Sequence, residues 1–360
     1  MVAMSGGVDS STAAALLKEE GYEVIGITLE IWPADAPLPP GETGCCSLSA
    51  VEDARRVAAV LGIPHYVLNF REVFAQTVIK YFIQEYLEGR TPNPCIACNR
   101  FIKFEGLLRK ALALGMDYIA TGHYARVFYD QKRGRYLLAK GRDPEKDQSY
   151  VLYTFTQEQL ARTLLPLGDY TKSEVRSLAA RYGLPVAGKR ESQEICFITT
   201  GDYRQFIREK AATAIRPGPI LDLEGRIMGR HRGLPYYTVG QRKGLGLAAG
   251  RRLFVVALDP ERNAVIVGEE KDLLSWSLIA RDNNYILWGE PPAEAEVTVK
   301  IRYRAAEVPA LLRPKENGRA EVIFQAPQRA VTPGQAVVYY SGDLVAGGGI
   351  IVAPWEGKRP

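Results

Sequence analysis

At 360 residues, with 46% hydrophobic and 24% charged content, the chain is long enough for two or three domains and has the composition of a folded globular protein. No apolar run approaches the roughly 20 residues that cross a bilayer, and Met1 leads straight into a core strand, so no membrane partner and a cytoplasmic location are expected. A net charge of +5 permits a nucleic-acid partner without demanding one, and five cysteines in a reducing compartment argue against a structural disulfide framework.

In chain order, Met1 to Met4 reads as a short apolar strand, Gly6-Gly7 as a tight turn, and Asp9 to Leu17 as a helix opened by small hydroxyl residues. Residues 22–31 read as a second buried strand, and the Pro- and Gly-rich stretch 33–44 as a loop. Ser49 to Leu61 carries Val51, Ala54, Val57, Ala58 and Leu61 at helical spacing and stops at Gly62-Ile63-Pro64. His65 to Phe70 reads as a third strand, 72–88 and Phe101 to Leu114 as helices, and Tyr118 to Thr121 as another strand. Alternation of this kind predicts an α/β domain with a parallel, doubly wound sheet. Ligands of such sheets sit at the carboxyl ends of strands, an edge shared by the Gly-Gly turn, the residues after Leu29, and Gly122-His123.

Past about residue 205 the texture changes to short apolar runs punctuated by Gly and Pro, such as Leu253 to Leu258 and Ala264 to Val267. After Asn284 alternation is clear in Glu294 to Tyr303, Arg319 to Phe324 and Ala336 to Tyr340. Two small β-barrel-like domains are expected, giving a division at 1–205, 206–280 and 281–360.

The N-terminal turn carries the most chemistry. Gly6 and Gly7 let backbone approach a ligand closely, the first amides of the following helix have no internal partners, and the helix dipole favours an anion. With Ser5, Ser10 and Ser11 as further donors, the site suits phosphate or pyrophosphate. No Gly-Lys-Ser/Thr follows, so this is not the Walker loop. Ser5-Gly6-Gly7-Val8-Asp9-Ser10 instead resembles the signature of the PP-loop pyrophosphatases, which cleave ATP between its α- and β-phosphates. The resemblance implies a domain of that type, related to the adenine nucleotide α-hydrolases, with Asp9 helping to hold Mg²⁺.

Cys98 follows Thr91-Pro92-Asn93-Pro94-Cys95 and precedes an expected helix, where a thiolate is favoured. Cys196 lies shortly after Lys189 and Arg190, whose charge acts in the same sense. Cys95-x-x-Cys98 alone fits half a zinc site, a redox pair or cluster ligands. Completing a zinc site with the adjacent Cys45 and Cys46 is disfavoured, and those two are most simply buried or loop thiols.

Ser-Gly-Gly-Val-Asp-Ser, Thr91-Pro-Asn-Pro with Cys98-Asn99, Ala120-Thr-Gly-His-Tyr124, Lys146-Asp-Gln-Ser-Tyr150, Glu191-Ser-Gln-Glu-Ile-Cys-Phe-Ile198 and Gly240-Gln-Arg-Lys-Gly-Leu245 occur in that order. From end to end the chain resembles the bacterial tRNA-specific 2-thiouridylases, which modify uridine 34. The resemblance implies that Ala3, Met4, Ser5, Gly6, Gly7, Val8, Asp9 and Ser10 cradle ATP, with Leu29 by the adenine and Gly122 closing the pocket. It implies that Asn93, Pro94 and Cys95 meet the flipped target base, and that His123, Lys146, Asp147, Gln148, Arg302, Tyr303 and Gln335 contact tRNA. Cys196 carries sulfur as a persulfide in this scheme, and Cys98 releases it by forming a disulfide with Cys196. A sulfur-relay protein or cysteine desulfurase as donor, and a monomer when free, complete the expectation.

Adenylating the C2 oxygen of uridine turns a poor leaving group into AMP, and a persulfide is a nucleophile suited to the attack that follows. Some relatives carry Asp where this chain has Cys95, which leaves no dedicated base and opens an alternative: Cys95, Cys98 and Cys196 holding a [4Fe–4S] cluster. On context alone His123 reads as a strand-end residue bonded to backbone, Lys146-Asp147-Gln148 as a solvated turn, and Arg302 and Tyr303 as surface residues of a strand. Gln335 rests on the resemblance. Two rival functions share part of the pattern: another PP-loop ligase, with no use for Cys98 and Cys196, and a non-catalytic RNA-binding protein, with no use for the phosphate loop.

Overall fold

A computed structural model of the chain describes residues 1–32, 48–189, 195–198, 201–248 and 250–354. The expected loop 33–44, with Cys45, Cys46 and Arg190, lies outside the described residues. Two compact units partition the fold: 1–79, 94–202 and 343–345 form the first, and 80–93, 203–342 and 346–360 the second.

The first unit is built on a parallel sheet. β1 (Val2–Ala3) leads through the Gly-Gly turn into α1 (Val8–Glu19), β2 (Gly26–Glu30) is followed by α2 (Leu48–Leu61), and then comes β3 (His65–Asn69). β4 (Ile119–Ala120) comes next, the antiparallel hairpin β5 (Ala125–Asp130) and β6 (Arg135–Lys140) after it, then β7 (Thr163–Leu164) and α3 (Lys172–Arg181). The sheet order is β3-β2-β1-β4-β7, with β1 at the centre. Val2 pairs in parallel with both Gly26 and Ala120, so the turn after β1 leaves the middle of the sheet, where strand order reverses. Val2, Met4, Val8, Ala13, Ala14, Leu16 and Leu17 are buried against Ala54, Val57, Val175 and Ala179, so the small alanines of α1 allow close packing on both neighbouring helices.

Two helical expectations change in detail. The run expected over 72–88 spans 71–87 and contains a wide, π-type segment at Ala75–Ile79. The helix expected from Phe101 begins at Pro94–Ala97 and continues through the π-type Cys98–Leu107 into Leu108–Ala113. Pro94 suits a first helical position because its missing N–H has no intrahelical partner there. Cys95 therefore stands in the first turn, and Cys98 stands a turn further in, not at the helix start as the sequence pattern predicts.

The second unit opens with a helix at Tyr203–Ala211. A four-stranded sheet then orders as β10 (Phe254–Asp259), β11 (Ala264–Gly268), β8 (Gly218–Leu221) and β9 (Ile227–His231), over a core that includes Ile220, Tyr237, Val255, Val265 and Val267. β12 (Leu274–Tyr285), β13 (Ala295–Lys300), β14 (Val308–Pro314), β15 (Ala320–Arg329), β16 (Ala336–Ser341) and β17 (Leu344–Pro354) follow. Their order β12-β15-β14-β13-β16-β17 is closed by pairing of β12 with β17, a six-stranded barrel with no open edge. Its inward positions, among them Leu278, Val299, Leu312, Val322 and Val337, are fully buried. Among the described residues no helix is long and apolar enough to cross a membrane.

Candidate functional site

The phosphate loop is shaped by steric constraints at two glycines. Gly6 has φ +64°, and a Cβ there would strike the carbonyl of Ala50 at the start of α2. Gly122, just past β4, lies so close to α1 that a Cβ would sit 2.6 Å from the Ser10 amide nitrogen. Ser10 Oγ accepts from the Ser5 amide at 3.1 Å, and Ser11 Oγ donates to the Gly7 carbonyl at 2.8 Å, so the hydroxyls hold the turn closed. The N-terminus of α1 is left without a side-chain cap, with Gly7 at the cap position. Amides without intrahelical partners, a positive helix end and a glycine wall form an anion site. Leu29, in β2 next to the loop's own strand, is half-buried.

Charge at this loop comes from residues the sequence motif does not contain. Asp9 Oδ1 accepts from the Tyr124 hydroxyl at 2.7 Å and from Lys172 Nζ at 2.6 Å. Lys189 Nζ donates to the Gly6 carbonyl at 3.1 Å and to Asp53 Oδ2 at 2.6 Å. Lys189 therefore faces the phosphate loop. Lys172 is 163 residues from Asp9, and no local motif marks it. The one sequence signal that could have found it is the Thr171…Glu174 capping box, which fixes where α3 begins.

The remaining candidates fall into distinct settings. His123 is buried beside Phe104 and shares a 2.7 Å hydrogen bond with Thr121 Oγ1; burial, then the Lys103 charge, holds its imidazole well below the ordinary value, so it is neutral. Asp147 is buried and accepts from the Gly141 and Ser149 amides and the Ser149 hydroxyl, while Gln148 Oε1 accepts from the Tyr124 amide at 3.0 Å. The turn expected to be solvated thus aims two of its side chains inward: Gln148 holds the backbone next to His123, and Asp147 closes the turn itself. Cys95 is exposed, Cys98 and Cys196 are half-buried, and none is in a disulfide. Phe197 is buried edge-on against Phe74 with ring centroids 5.6 Å apart, which anchors the chain next to Cys196. No three Cys, His, Asp or Glu side chains among the described residues converge as a metal would require, and the cluster alternative is not favoured.

In the second unit Arg302 and Tyr303 are exposed and lie in the turn after β13, not on the strand as the alternation predicts. Arg302 Nη2 donates to the Arg329 carbonyl at 2.8 Å. Gln335 Nε2 donates to the Thr91 carbonyl at 2.8 Å, and the Thr91 amide donates to Pro333, so this residue holds the segment that leads into Asn93. The Gly240 to Leu245 motif borders a cleft of about 590 Å³ lined by Arg242, Gly244, Gly246, Arg251, Arg252 and Leu253. That lining is basic and glycine-rich.

Together these features define a nucleotide-binding α/β protein of the phosphate-loop class that carries two β modules. Residues 1–200 match the family model described as a tRNA methyl transferase HUP domain, 204–269 a tRNA methyl transferase PRC-barrel domain, and 275–351 an aminomethyltransferase beta-barrel domain. The tRNA-specific 2-thiouridylase MnmA of Moorella thermoacetica is 72% identical over 98% of both chains, and that of Pelotomaculum thermopropionicum is 59% identical over 98% of this chain and 96% of its own. At that identity and coverage the chain belongs to the family of tRNA-specific 2-thiouridylases. Among solved structures, the NMN synthetase from Francisella tularensis is 18% identical, covers 52% of this chain and 64% of its own, and has a TM-score of 0.33, a likeness too distant to bear on function.

Proposed function

We propose that this chain is an ATP-dependent tRNA-uridine 2-sulfurtransferase that acts on uridine 34. The observation that carries the reading is the uncapped start of α1 behind the Gly-Gly turn, closed by Gly122 against Asp9 and Ser10. Residues Ala3 to Ser10 take the phosphates, Leu29 lies by the adenine, and Gly122 closes the pocket. A divalent cation riding on the phosphates fits the single carboxylate Asp9, because Mg²⁺ keeps several waters and takes one or two carboxylates with phosphate oxygens. A methyl transferase reading, which the family-model description suggests, has no use for a pyrophosphate site.

In this reading the C2 oxygen of the base attacks the α-phosphorus of ATP and pyrophosphate leaves, its charge met by the α1 amides. The terminal sulfur of a Cys196 persulfide then attacks C2. Cys98 thiolate attacks the inner Cys196 sulfur, the persulfide bond breaks, a Cys98–Cys196 disulfide forms, and AMP leaves with the former C2 oxygen. An external thiol reductant restores the two cysteines, and a sulfur-relay protein or cysteine desulfurase reloads Cys196. Asn93, Pro94 and Cys95 meet the base, while His123, Lys146, Asp147, Gln148, Arg302, Tyr303 and Gln335 serve the tRNA; of these, exposed Tyr303 and Arg302 suit stacking and phosphate contact directly. Residues 1–205 form the catalytic part of a cytoplasmic monomer and 206–280 the central β part, and the tRNA-contacting barrel, expected over 281–360, takes in the whole of β12 from Leu274.

The test is anaerobic thiolation of unmodified tRNA with Mg-ATP and a sulfur source, following AMP release and 2-thiouridine by mass spectrometry. Cys98→Ser and Cys196→Ser should each lower thiolation by about 10⁴-fold or more, while Cys95→Ser retains it. Dependence on all three cysteines, with iron in the protein, would return the cluster route. Absence of tRNA-dependent AMP release would overturn the reading itself.

A further inference from the structure

Two lysine ammonium groups meet the phosphate loop from separate parts of the first unit. Lys172 Nζ lies 2.6 Å from Asp9, the second residue of α1, and its side chain is only 12% exposed. Lys189 Nζ lies 3.1 Å from the Gly6 carbonyl, inside the turn itself. Each has a carboxylate partner, Asp9 for one and Asp53 for the other. Neither pairing explains itself as a stabilising ion pair. A partly buried pair returns little net energy once desolvation of both charges is counted, and a phosphate oxygen would replace the carboxylate as each ammonium's partner.

The roots of both side chains are fixed. Lys172 is the first residue of α3; its amide donates to Asp143 Oδ2 at 2.9 Å, and the Thr171–Glu174 capping box holds the turn. The Arg176 guanidinium donates to the carbonyls of Ala187 and Lys189 at 3.1 and 3.3 Å, pinning the backbone beneath the second lysine. A triphosphate carries several negative charges, whereas a helix terminus offers about half a positive one, so amides and hydroxyls alone leave most of that charge unmet. Lysine is suited to the remainder, as a flexible point charge for phosphate oxygens.

We propose that Lys172 and Lys189 bind the β- and γ-phosphates of ATP and stabilise the departing pyrophosphate, exchanging Asp9 and Asp53 for phosphate oxygens when the nucleotide enters. The proposal rests on the reading of this loop as an ATP site. The loop would then do with two distant lysines what a Walker loop does with one inside its own motif.

Full-length wild type, Lys172→Met, Lys189→Met and Asp53→Asn are titrated calorimetrically with Mg-ATP, with inorganic pyrophosphate and with AMP. Each lysine variant should bind ATP and pyrophosphate about 10- to 100-fold more weakly and bind AMP as wild type does. Asp53→Asn should bind pyrophosphate at least as tightly as wild type, because Lys189 no longer has to leave a charged partner. Lysine variants that bind pyrophosphate normally, lose AMP in equal measure, or behave no differently from Asp53→Asn would overturn the proposal and leave the pairs as structural. Wild type that binds neither ATP nor AMP would instead fail the underlying reading of the loop, a result separable from the others.

Discussion

The phosphate loop and the β barrel hold their candidate residues in opposite ways. At the loop, function is written in backbone: the positive φ of Gly6, the approach of Gly122 to Ser10 and the uncapped start of α1 leave no side chain that could be exchanged for another without altering the cavity. In the barrel the backbone is complete in itself, closed by β12 and β17, and the candidates are side chains on turns at its rim. A site made of backbone permits few residue types and leaves a motif. A site made of exposed side chains tolerates many and leaves almost none.

The strongest way to break this contrast is to put a methyl group into the loop. Gly122→Ala places a Cβ 2.6 Å from a backbone nitrogen, and backbone cannot rotate away as a side chain can. The expected result is an ATP affinity lower by about 10²-fold, equivalent to roughly 2.7 kcal/mol, with a melting temperature lower by a few degrees and tRNA affinity unchanged. Calorimetry with ATP and a tRNA filter-binding assay read the two separately. Normal ATP binding by this variant would mean that Gly122 does not border the nucleotide.

The same contrast sets how much the sequence discloses. Gly6, Gly7, Ser10 and Gly122 are legible because steric demand and hydrogen-bond geometry select those residue types at short range. Lys172 and Lys189 are not, because their ammonium groups arrive from 163 and 183 residues away and only the folded sheet brings them to the turn. α3 gave no clear periodic signal, since polar residues fill much of its length, and in the hairpin of β5 and β6 the apolar runs Val127 to Tyr129 and Tyr136 to Ala139 are short and do not alternate. Cys98 shows a further limit: a proline suggests a loop as readily as a first helical turn, so the start of the helix, and with it the thiol's place a full turn inside, is decided by packing. Asp147 teaches the converse, since a polar turn reads as solvated until its carboxylate is seen to close the turn from within.

In the barrel, smaller effects confined to RNA are expected. Arg302→Ala and Tyr303→Ala should each weaken tRNA binding by about 3- to 10-fold, the scale of one phosphate contact or one stacked base in a shared interface. Neither should change ATP affinity, and only Arg302→Ala, which also loses its bond to the Arg329 carbonyl, should lower the melting temperature slightly. The Arg302 effect should shrink as salt rises and the Tyr303 effect should not, which filter binding between low and physiological salt can resolve. Equal salt dependence would mean that Tyr303 does not stack.

Gln335 sharpens the comparison from the other side, because its side chain does backbone work. Its amide holds the Thr91 carbonyl, two residues before Asn93. Gln335→Ala should cost about 1 kcal/mol of stability and lower thiolation through the position of Asn93 rather than through lost RNA charge. Gln335→Glu replaces the amide donor with a carboxylate, so it should be no better than alanine, whereas a direct contact to RNA donors would be partly kept. Denaturant unfolding and single-turnover thiolation separate these outcomes.

The smallest effect concerns protons, and here the two regions behave alike. His123 in the first unit and His231 in the second are both buried, and burial is the main cause that lowers each imidazole below its ordinary value. His231 accepts the Gly233 amide at Nδ1, so its Nε2 carries the proton that it donates to the Asn263 carbonyl. For a histidine lowered on folding, the unfolded chain takes up the proton first. Stability is therefore whole above an ordinary pKa of about 6.5 and falls as pH drops below it, until the folded group also titrates. A histidine that stays neutral in the fold costs about 0.8 kcal/mol at pH 6, so the wild type should melt lower at pH 6 than at pH 7.5. His123→Asn should reduce that difference by roughly its share, whatever it does to the melting temperature at pH 7.5. An unchanged difference would mean that His123 takes up its proton in the fold as readily as in the unfolded chain, so that burial does not hold the ring neutral.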